Sequence, residues 1–358
     1  MPTPTPTPTP GSKTRRKDKN AAAATRARAR LTRVRRGKKN KASSGPSGEA
    51  AAAKQPVYLV VEHGVEDPTH SILEVAAGAA PRPLLYGRRG MSFAAVGTRY
   101  GPRIVGLGLD RNLIYNPETS KEVEGPPLLD RMAHPILIPH GGELFDLDEN
   151  SGWRYLPPPP IFPCRLNPLE YRDPPEVQVA AYAVVGSHIL LSVQQEKGTC
   201  AFDVVSMEWE MVDDRNLPFI GQAVPVGGHR FVACSKARDG APAVYYIEVF
   251  PPGTTSTGRS ELSIIELPVK SKGIVPRQHL CAMGTGRFSS FDIRSVDPGP
   301  EAKLDKARIV HRSYSLEEGD DASANSVVVV KEQRQIYKLR DPSCHLAYPS
   351  PVVAALTV

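Results

Sequence analysis

The chain has 358 residues, a formal net charge of +7 and 40% hydrophobic residues, enough for one large domain or two small ones. No apolar run reaches about 18 residues, which argues against a transmembrane helix. No apolar segment follows the N-terminal basic residues, which argues against a secretory signal peptide. The five scattered cysteines form no CxxC pair, so we expect neither a disulfide framework nor a zinc site.

The charge is divided unevenly along the chain. Residues 1–54 contain 15 Lys and Arg and two acids, whereas the remaining residues contain 30 Lys and Arg against 36 acids. Pro and Thr alternate over residues 2–10, and residues 42–54 are mostly Ala, Ser, Gly and Pro. Such segments cannot bury a core. The sequence therefore predicts a disordered basic arm and linker, residues 1–54, before a globular domain, residues 55–358.

Two clusters of basic residues give the arm a predicted function. They resemble a bipartite nuclear import signal and could also contact nucleic-acid phosphates without reading base sequence. An organelle transit peptide and a solvated tail without a role are the alternatives. The dense second cluster favours import or nucleic-acid contact, and hence a nuclear or cytoplasmic protein. The residues are Lys13, Arg15, Arg16, Lys17, Arg33, Arg35, Arg36, Lys38, Lys39 and Lys41.

Beyond the linker the sequence predicts short strands, because no helical periodicity is sustained. One hairpin pattern occurs three times: an aromatic residue, Asp or Asn, a polar turn, a large apolar residue and then proline. The copies lie at residues 113–123, 144–153 and 201–209. Strands are also predicted at residues 136–139, 326–331 and 335–339, among others. We expect residues 57–61 to share a sheet with the C-terminal strands.

Glycines precede the aromatic strand of several of these units. The order of apolar strand, glycine, aromatic strand and Trp-bearing strand is that of a kelch repeat. Glycine allows tight turns and close approach of neighbouring strands, and the Trp is expected to pack between adjacent sheets. The residues given this structural role are Gly141, Gly142, Trp153, Trp209, Gly227 and Gly228.

The aromatic residues also give a repeat length. Tyr115, Phe202, Tyr246, Phe291 and Tyr337 are separated by 87, 44, 45 and 46 residues, and the first interval holds two units. A period near 45 residues is typical of four-stranded propeller blades. The sequence therefore predicts an all-β, kelch-like β-propeller with six blades, or seven.

Six segments, in order along the chain, carry a resemblance to a known family. They are SFAAV at residues 92–96, ILIPHGG at 136–142, LPPPP at 156–160, VAAYAVVG at 179–186, LPFIGQA at 217–223 and VVVKEQRQIY at 328–337. Together they resemble a grass-expanded family of uncharacterised kelch-like β-propeller proteins, labelled as a domain of unknown function. The resemblance covers residues 57–340 and implies a propeller, a plant origin and no assigned activity.

The residues offer no pattern typical of an active site. The nine histidines are dispersed, and no HxH, HExxH or paired-carboxylate motif occurs. The glycines Gly106 and Gly108 lack the third glycine of a nucleotide-binding loop and precede a hairpin rather than a helix. We therefore predict that the chain is not an enzyme and needs no cofactor.

These observations favour a monomeric protein-interaction platform that binds an unidentified protein through propeller loops. The candidate surface lies near Asp148, Arg215, Arg238 and Arg294. The alternative is a nuclear protein that binds nucleic acid weakly and non-specifically through the arm. No membrane association is expected.

Overall fold

A computed structural model describes most of the chain after residue 55. The described residues are 56–63, 69–75, 82–87, 91–98, 100–108, 112–125, 136–140, 156–162, 177–253, 259–270, 279–295, 307–316, 328–338 and 352–357. All of them belong to one compact unit, Ala52–Val358. Within these ranges every regular element is a strand, and none of them contains a helix long and apolar enough to span a membrane.

The described strands number twenty, in chain order. They are β1 (Val57–His63), β2 (Thr69–Val75), β3 (Arg82–Gly87), β4 (Ser92–Thr98), β5 (Gly101–Leu107), β6 (Asn112–Asn116), β7 (Lys121–Glu124), β8 (Val179–Val185), β9 (His188–Val193), β10 (Thr199–Asp203), β11 (Glu208–Asp213), β12 (Phe219–Gly227), β13 (Arg230–Ser235), β14 (Pro242–Phe250), β15 (Glu261–Lys270), β16 (His279–Ala282), β17 (Arg287–Ser295), β18 (Ala307–Leu316), β19 (Val328–Lys338) and β20 (Val352–Thr357).

The strands group into antiparallel four-stranded sheets, three of which are joined into one twelve-stranded sheet by the parallel pairs β8–β12 and β15–β19. Four of these sheets follow the chain, namely β4–β7, β8–β11, β12–β15 and β16–β19. The fifth has the order β20-β1-β2-β3, so the last strand of the chain pairs with the first. Residues 57–61 therefore share a sheet with a C-terminal strand, as expected from the sequence.

The first strands of the sheets lie side by side in sequence order. β8 pairs with β12 in parallel, β12 contacts β16, and β20 contacts both β16 and β4. Sheets that succeed one another in this way, with the chain ends joined in one of them, have the arrangement of propeller blades. The all-β prediction is confirmed. The number of blades and their kelch type stay predictions, because only residues 136–140 and 156–162 are described between β7 and β8.

The hairpin pattern has a local physical cause in both described copies. Tyr115 and Phe202 are each 1% exposed on a third strand. The side chain of Asn116 accepts hydrogen bonds from the backbone N–H groups of Glu118 and Thr119, at 3.0 and 3.3 Å. Asp203 likewise accepts one from the N–H of Val205 at 3.0 Å. The Asp or Asn of the pattern thus fixes the turn, and the copy at residues 144–153 lies outside the described residues.

Several predictions about individual segments are wrong. Residues 136–140 form no strand, because Pro139 lacks the N–H that a sheet requires and Ile136 is 41% exposed. Residues 326–331 and 335–339 were expected as separate strands, but residues 328–338 form the single strand β19. Its polar middle continues as strand because Gln333 and Arg334 pair with Ser313 and Arg312 of β18.

The aromatic spacing does not mark equivalent positions throughout. Tyr115, Phe202 and Tyr246 lie on third strands, whereas Phe291 lies on the second strand β17 and Tyr337 on the fourth strand β19. The first strands begin at residues 92, 179, 219, 279 and 352. Their uneven spacing shows that loop lengths differ between the sheets, so the regular period near 45 residues is wrong for the last two aromatics.

Sheets β12–β15 and β16–β19 also approach each other closely at the turn between β12 and β13. Gly227 has φ +112°, and a Cβ there would lie 2.9 Å from the Cγ2 of Thr285, in the turn between β16 and β17. The backbone N–H of Gly286 donates to the carbonyl of Val226 at 2.7 Å. The two turns are therefore joined directly through the backbone.

We expect Gly227→Ala to destabilise the domain by about 1–3 kcal/mol, because the new methyl group meets Thr285 at a backbone conformation unsuited to alanine. Urea unfolding followed by circular dichroism measures the change. The matched control is Gly97→Ala in β4, where a Cβ meets nothing within 4 Å and φ is ordinary. Equal stabilities of the two variants would contradict the close approach.

Candidate functional site

The antiparallel sheets have two ends that differ in the links they carry. Links from first to second and from third to fourth strands lie at one end, here called the turn end. Links from second to third strands and from one sheet to the next lie at the other, here called the connection end. β8 pairs in parallel with β12, and β15 with β19, so the three sheets β8–β11, β12–β15 and β16–β19 run in the same direction.

Two of the predicted surface residues lie at the connection end. Arg215 is in the link between β11 and β12, and Arg238 is in the turn between β13 and β14. Arg294 is the next-to-last residue of β17, so its backbone lies toward the same end. Asp148 lies outside the described residues. The structure thus brings two arginines that are 23 positions apart in sequence to one surface.

The link at the connection end is held in place by one amide side chain. Asn216 donates from Nδ2 to the carbonyls of Val193 and Gln195, at 2.8 and 3.0 Å. Its Oδ1 accepts from the backbone N–H of Gly198 at 3.0 Å. Because both ends of the amide are used, the link is clamped to the turn between β9 and β10.

Two buried hydroxyl groups also hold the link between β11 and β12 in place. Ser192 and Thr199 are fully buried, with their hydroxyl oxygens 3.0 Å apart. The backbone N–H of Leu217 donates to Ser192 at 2.9 Å, and Thr199 donates to the carbonyl of Arg215 at 2.7 Å. The backbone of the link is therefore fixed by hydrogen bonds that water cannot easily replace.

The fixed link presents an exposed arginine. The Arg215 side chain is 89% exposed, and its Nε lies 3.7 Å from the carboxylate of Asp213. The backbone N–H of Lys236, in the turn of the next sheet, donates to the carbonyl of Pro218 at 3.0 Å. We call residues 194–198, 213–218 and 236–240 the Arg215 platform. An exposed arginine on an ordered backbone is a favourable anchor for a protein partner.

The charges of the Arg215 platform balance. Glu196, Asp213, Asp214 and Asp239 stand against Lys197, Arg215, Lys236 and Arg238. A mixed surface of this kind offers paired contacts to another protein surface, whereas binding to a nucleic-acid backbone requires an excess of cations.

A buried Ser–His pairing lies elsewhere in the domain, on β17, β18 and β19. The Nε2 of His311 is 3.0 Å from the hydroxyl of Ser289 and 3.1 Å from that of Ser313, and its Nδ1 is 3.4 Å from that of Tyr337. The ring of Phe291 stacks on the imidazole at 4.4 Å. Sequence reasoning missed this cluster, because strand register rather than sequence spacing brings the residues together.

The cluster around His311 is sealed from solvent. Ser289 is 0% and His311 7% exposed, so a substrate has no access to the pair. Burial lowers the pKa of His311 to about 4, which keeps the imidazole neutral at physiological pH. The Ser289–His311 pairing therefore contains a potential nucleophile and base, but its burial is typical of a structural hydrogen-bond network.

Two of the described cysteines, Cys200 and Cys281, are held in an unreactive form. Cys200 and Cys281 are buried, and burial raises the pKa of each thiol to about 12, so both are protonated and unreactive. In the described parts of the chain, no three His, Cys, Asp or Glu side chains come together as a metal ion requires.

The remaining residues singled out in the sequence are placed as follows. Trp209 lies on β11, packs against Phe202 with ring centroids 5.1 Å apart and the rings tilted by 52°, and donates from its indole N–H to the carbonyl of Pro157 at 2.7 Å. Gly227 and Gly228 have φ +112° and +58° at the turn between β12 and β13. The described ranges do not include Gly141, Gly142, Trp153 or any of the ten basic residues of the arm.

We expect the domain to lose stability between about pH 6.5 and pH 4 through His311. The folded state lowers the pKa of this histidine, so the unfolded state takes up the proton first and acid favours unfolding. The slope contributed by one proton is at most about 1.4 kcal/mol per pH unit. Urea unfolding at several pH values should show a smaller slope for His311→Gln than for the natural chain.

The matched control for this measurement is His229→Gln, since His229 is exposed in the turn between β12 and β13. This variant should keep the natural slope. An identical pH dependence of His311→Gln and the natural chain would show that the buried imidazole does not titrate as described.

Comparison with curated protein sequences gives no match. Three solved structures are similar at low identity. The β-propeller domain of Cps50 (Swd1) from Myceliophteria thermophila is 12% identical, with 81% of this chain and 84% of that chain covered and a TM-score of 0.35. The WD40 domain of SCAP from fission yeast is 10% identical, with 78% and 61% covered and a TM-score of 0.25. Apo AztD from Citrobacter koseri is 12% identical, with 85% and 98% covered and a TM-score of 0.28.

The TM-scores of these three similarities do not exceed 0.35. A family model, by contrast, matches most of the domain, at residues 51–152 and 146–337. The description of this family is "Protein of unknown function (DUF1668)". The expected membership in a family without an assigned activity is thereby confirmed, whereas the kelch type and the expansion in grasses stay predictions. The chain belongs to the DUF1668 family.

Proposed function

We propose that this chain is a non-enzymatic protein-interaction platform whose protein partner docks on the Arg215 platform. The observation that carries the proposal is the exposed Arg215 side chain on a link that Asn216, Ser192 and Thr199 hold in place. A surface that is ordered before binding loses less conformational entropy in the complex. Arginine is also among the residues that contribute most to protein interfaces.

The charge of the platform supports a protein as the partner. Its four acids and four bases offer salt bridges of both signs at the rim of an interface. The sealed position of Ser289 and His311 supports a non-enzymatic role, because the best-formed nucleophile and base pairing described has no route for a substrate. The proposal requires no cofactor.

We also propose that the five described sheets, with room for one further sheet between β7 and β8, belong to a propeller of six kelch-like blades. The plant origin is proposed from the sequence resemblance alone. The rigid blades would then carry variable loops at their ends, as expected for a scaffold that selects its partner through loops.

The basic arm, residues 1–54, is proposed to direct import into the nucleus, with weak nucleic-acid contact as the alternative role. Replacement of the ten basic residues by serine should move a fluorescent fusion of the full chain from the nucleus to the cytoplasm, because the import receptor loses its cationic contacts. Replacement of Thr3, Thr5, Thr7 and Thr9 by serine is the control. Organelle fluorescence of the natural chain would instead indicate a transit peptide.

Site-specific photo-crosslinking tests the Arg215 platform. A benzophenone amino acid at Asp239 of the full chain should capture a defined protein partner, whereas one at Arg334, exposed on the fourth strand β19, should not. Adding Arg215→Glu should reduce the adduct at least tenfold, because the anchor charge is reversed. The matched charge reversal is Arg334→Glu.

The adduct should survive nuclease treatment and persist with the ten arm residues replaced. An adduct that forms equally at Arg334, or that is unaffected by Arg215→Glu, would show that the partner does not dock at this surface. Loss of the adduct with nuclease would favour the alternative of a nucleic-acid-associated protein.

A further inference from the structure

The turn end of sheets β12–β15 and β16–β19 carries two turns that behave as one unit. The first comprises residues 226–230 and the second residues 283–287. The N–H of Gly286 donates to the carbonyl of Val226 at 2.7 Å, and Gly227 leaves no room for a side chain against Thr285. We call these two segments the paired turns. Their relative position is fixed by backbone contacts.

The paired turns carry cations and no acid. Their charged side chains are Arg230 and Arg287, with the exposed His229 between them in the first turn. The Arg287 guanidinium lies back over its own turn, since a Cβ on Gly284 would be 3.4 Å from its Nη2. Among the described residues, neither arginine has a carboxylate partner. The two arginines therefore lie on turns whose backbones are joined directly.

Other turns between first and second strands differ in this respect. His188, after the turn between β8 and β9, is directly opposite Asp203 in the strand register. Arg103, after the turn between β4 and β5, lies beside Glu118, because a Cβ on Gly101 would be 3.6 Å from the arginine Nη1 and 3.3 Å from the glutamate Oε2. A described acid therefore lies near the basic side chain in each of those turns, whereas none of the described acids lies in the paired turns; residues 317–321, which follow Leu316, lie outside the described residues.

We propose that the paired turns bind a short acidic segment of a protein, with two nearby carboxylates held by Arg230 and Arg287. Guanidinium groups bind carboxylates through two parallel hydrogen bonds, which gives geometric selectivity as well as charge attraction. This surface lies at the end opposite to the Arg215 platform. Binding at the paired turns is therefore a separate property that does not depend on binding at the Arg215 platform.

A peptide fits this surface better than a nucleic acid does. Residues 55–358 contain 30 Lys and Arg against 36 acids, so the domain has no overall excess of cations with which to hold a long run of phosphates. Nucleic-acid affinity grows with the number of phosphates neutralised, and two arginines neutralise few. Two or three carboxylates, by contrast, match the two positive charges of Arg230 and Arg287.

Fluorescence anisotropy with labelled hexaglutamate tests the inference. The experiment uses the full chain with its 15 arm Lys and Arg replaced by serine, so that the arm cannot bind the probe. Residues 317–321, which include four acids, are kept unchanged in every variant. We expect saturable binding at low ionic strength that weakens as salt is added.

Arg287→Glu should weaken hexaglutamate binding at least tenfold, and Arg334→Glu should leave it unchanged. Arg230→Gln should also weaken it, but Arg230 is half-buried beside Tyr246, so its folding must be checked by circular dichroism. The exposed Arg287 gives the decisive variant. Undetectable binding, equal binding by Arg287→Glu, or tighter binding of six-nucleotide single-stranded DNA than of the peptide would overturn the inference.

Discussion

The pairing of β20 with β1 is the contact on which the rest of the domain depends. A strand edge that remains unpaired exposes backbone donors and acceptors and invites association with other chains. β20 pairs with β1, with Ala354 and Ala355 opposite Val60 and Leu59, and so supplies the first strand of the sheet β20-β1-β2-β3. It thereby joins the sheets β16–β19 and β4–β7, whose first strands it contacts.

This closure determines where function can lie. The broad faces of the sheets are used up in packing against each other, as where Val57, Leu59 and Val61 of β1 meet Phe291 and Ile309. The two ends of the sheets carry the surfaces proposed to bind partners. The connection end has balanced charge on a clamped link, and the turn end has Arg230 and Arg287 on the paired turns. One rigid body thus carries two surfaces with different chemistry, and the neutral imidazole of His311 lies within the packed seam rather than at either of them.

Much of the fold could be predicted because its signals are local. Asn116 and Asp203 fix their turns through hydrogen bonds to residues two or three positions on, so the hairpins can be recognised in the sequence. β3 was missed because Pro83 interrupts its apolar pattern. The Ser289–His311 pairing and the joined turns arise from register and from contacts between sheets, which no spacing in a single sequence reveals. Arg215 could be predicted as a surface residue because it lies in a predicted loop. The hydrogen bonds by which Asn216 holds this loop are visible only in the structure.

The central claim is that Arg215 stands on a backbone that is ordered before any partner binds. Hydrogen–deuterium exchange of the free full chain, resolved to single residues, tests it most directly. The amides of Gly198, Arg215 and Leu217 each donate to a side-chain oxygen, at 3.0, 2.8 and 2.9 Å. The account predicts that Gly198 and Leu217 exchange as slowly as the adjoining strands β9 and β10, and that Asn216→Ala accelerates Gly198 specifically. Exchange of residues 213–218 at the rate of an unstructured peptide would contradict it.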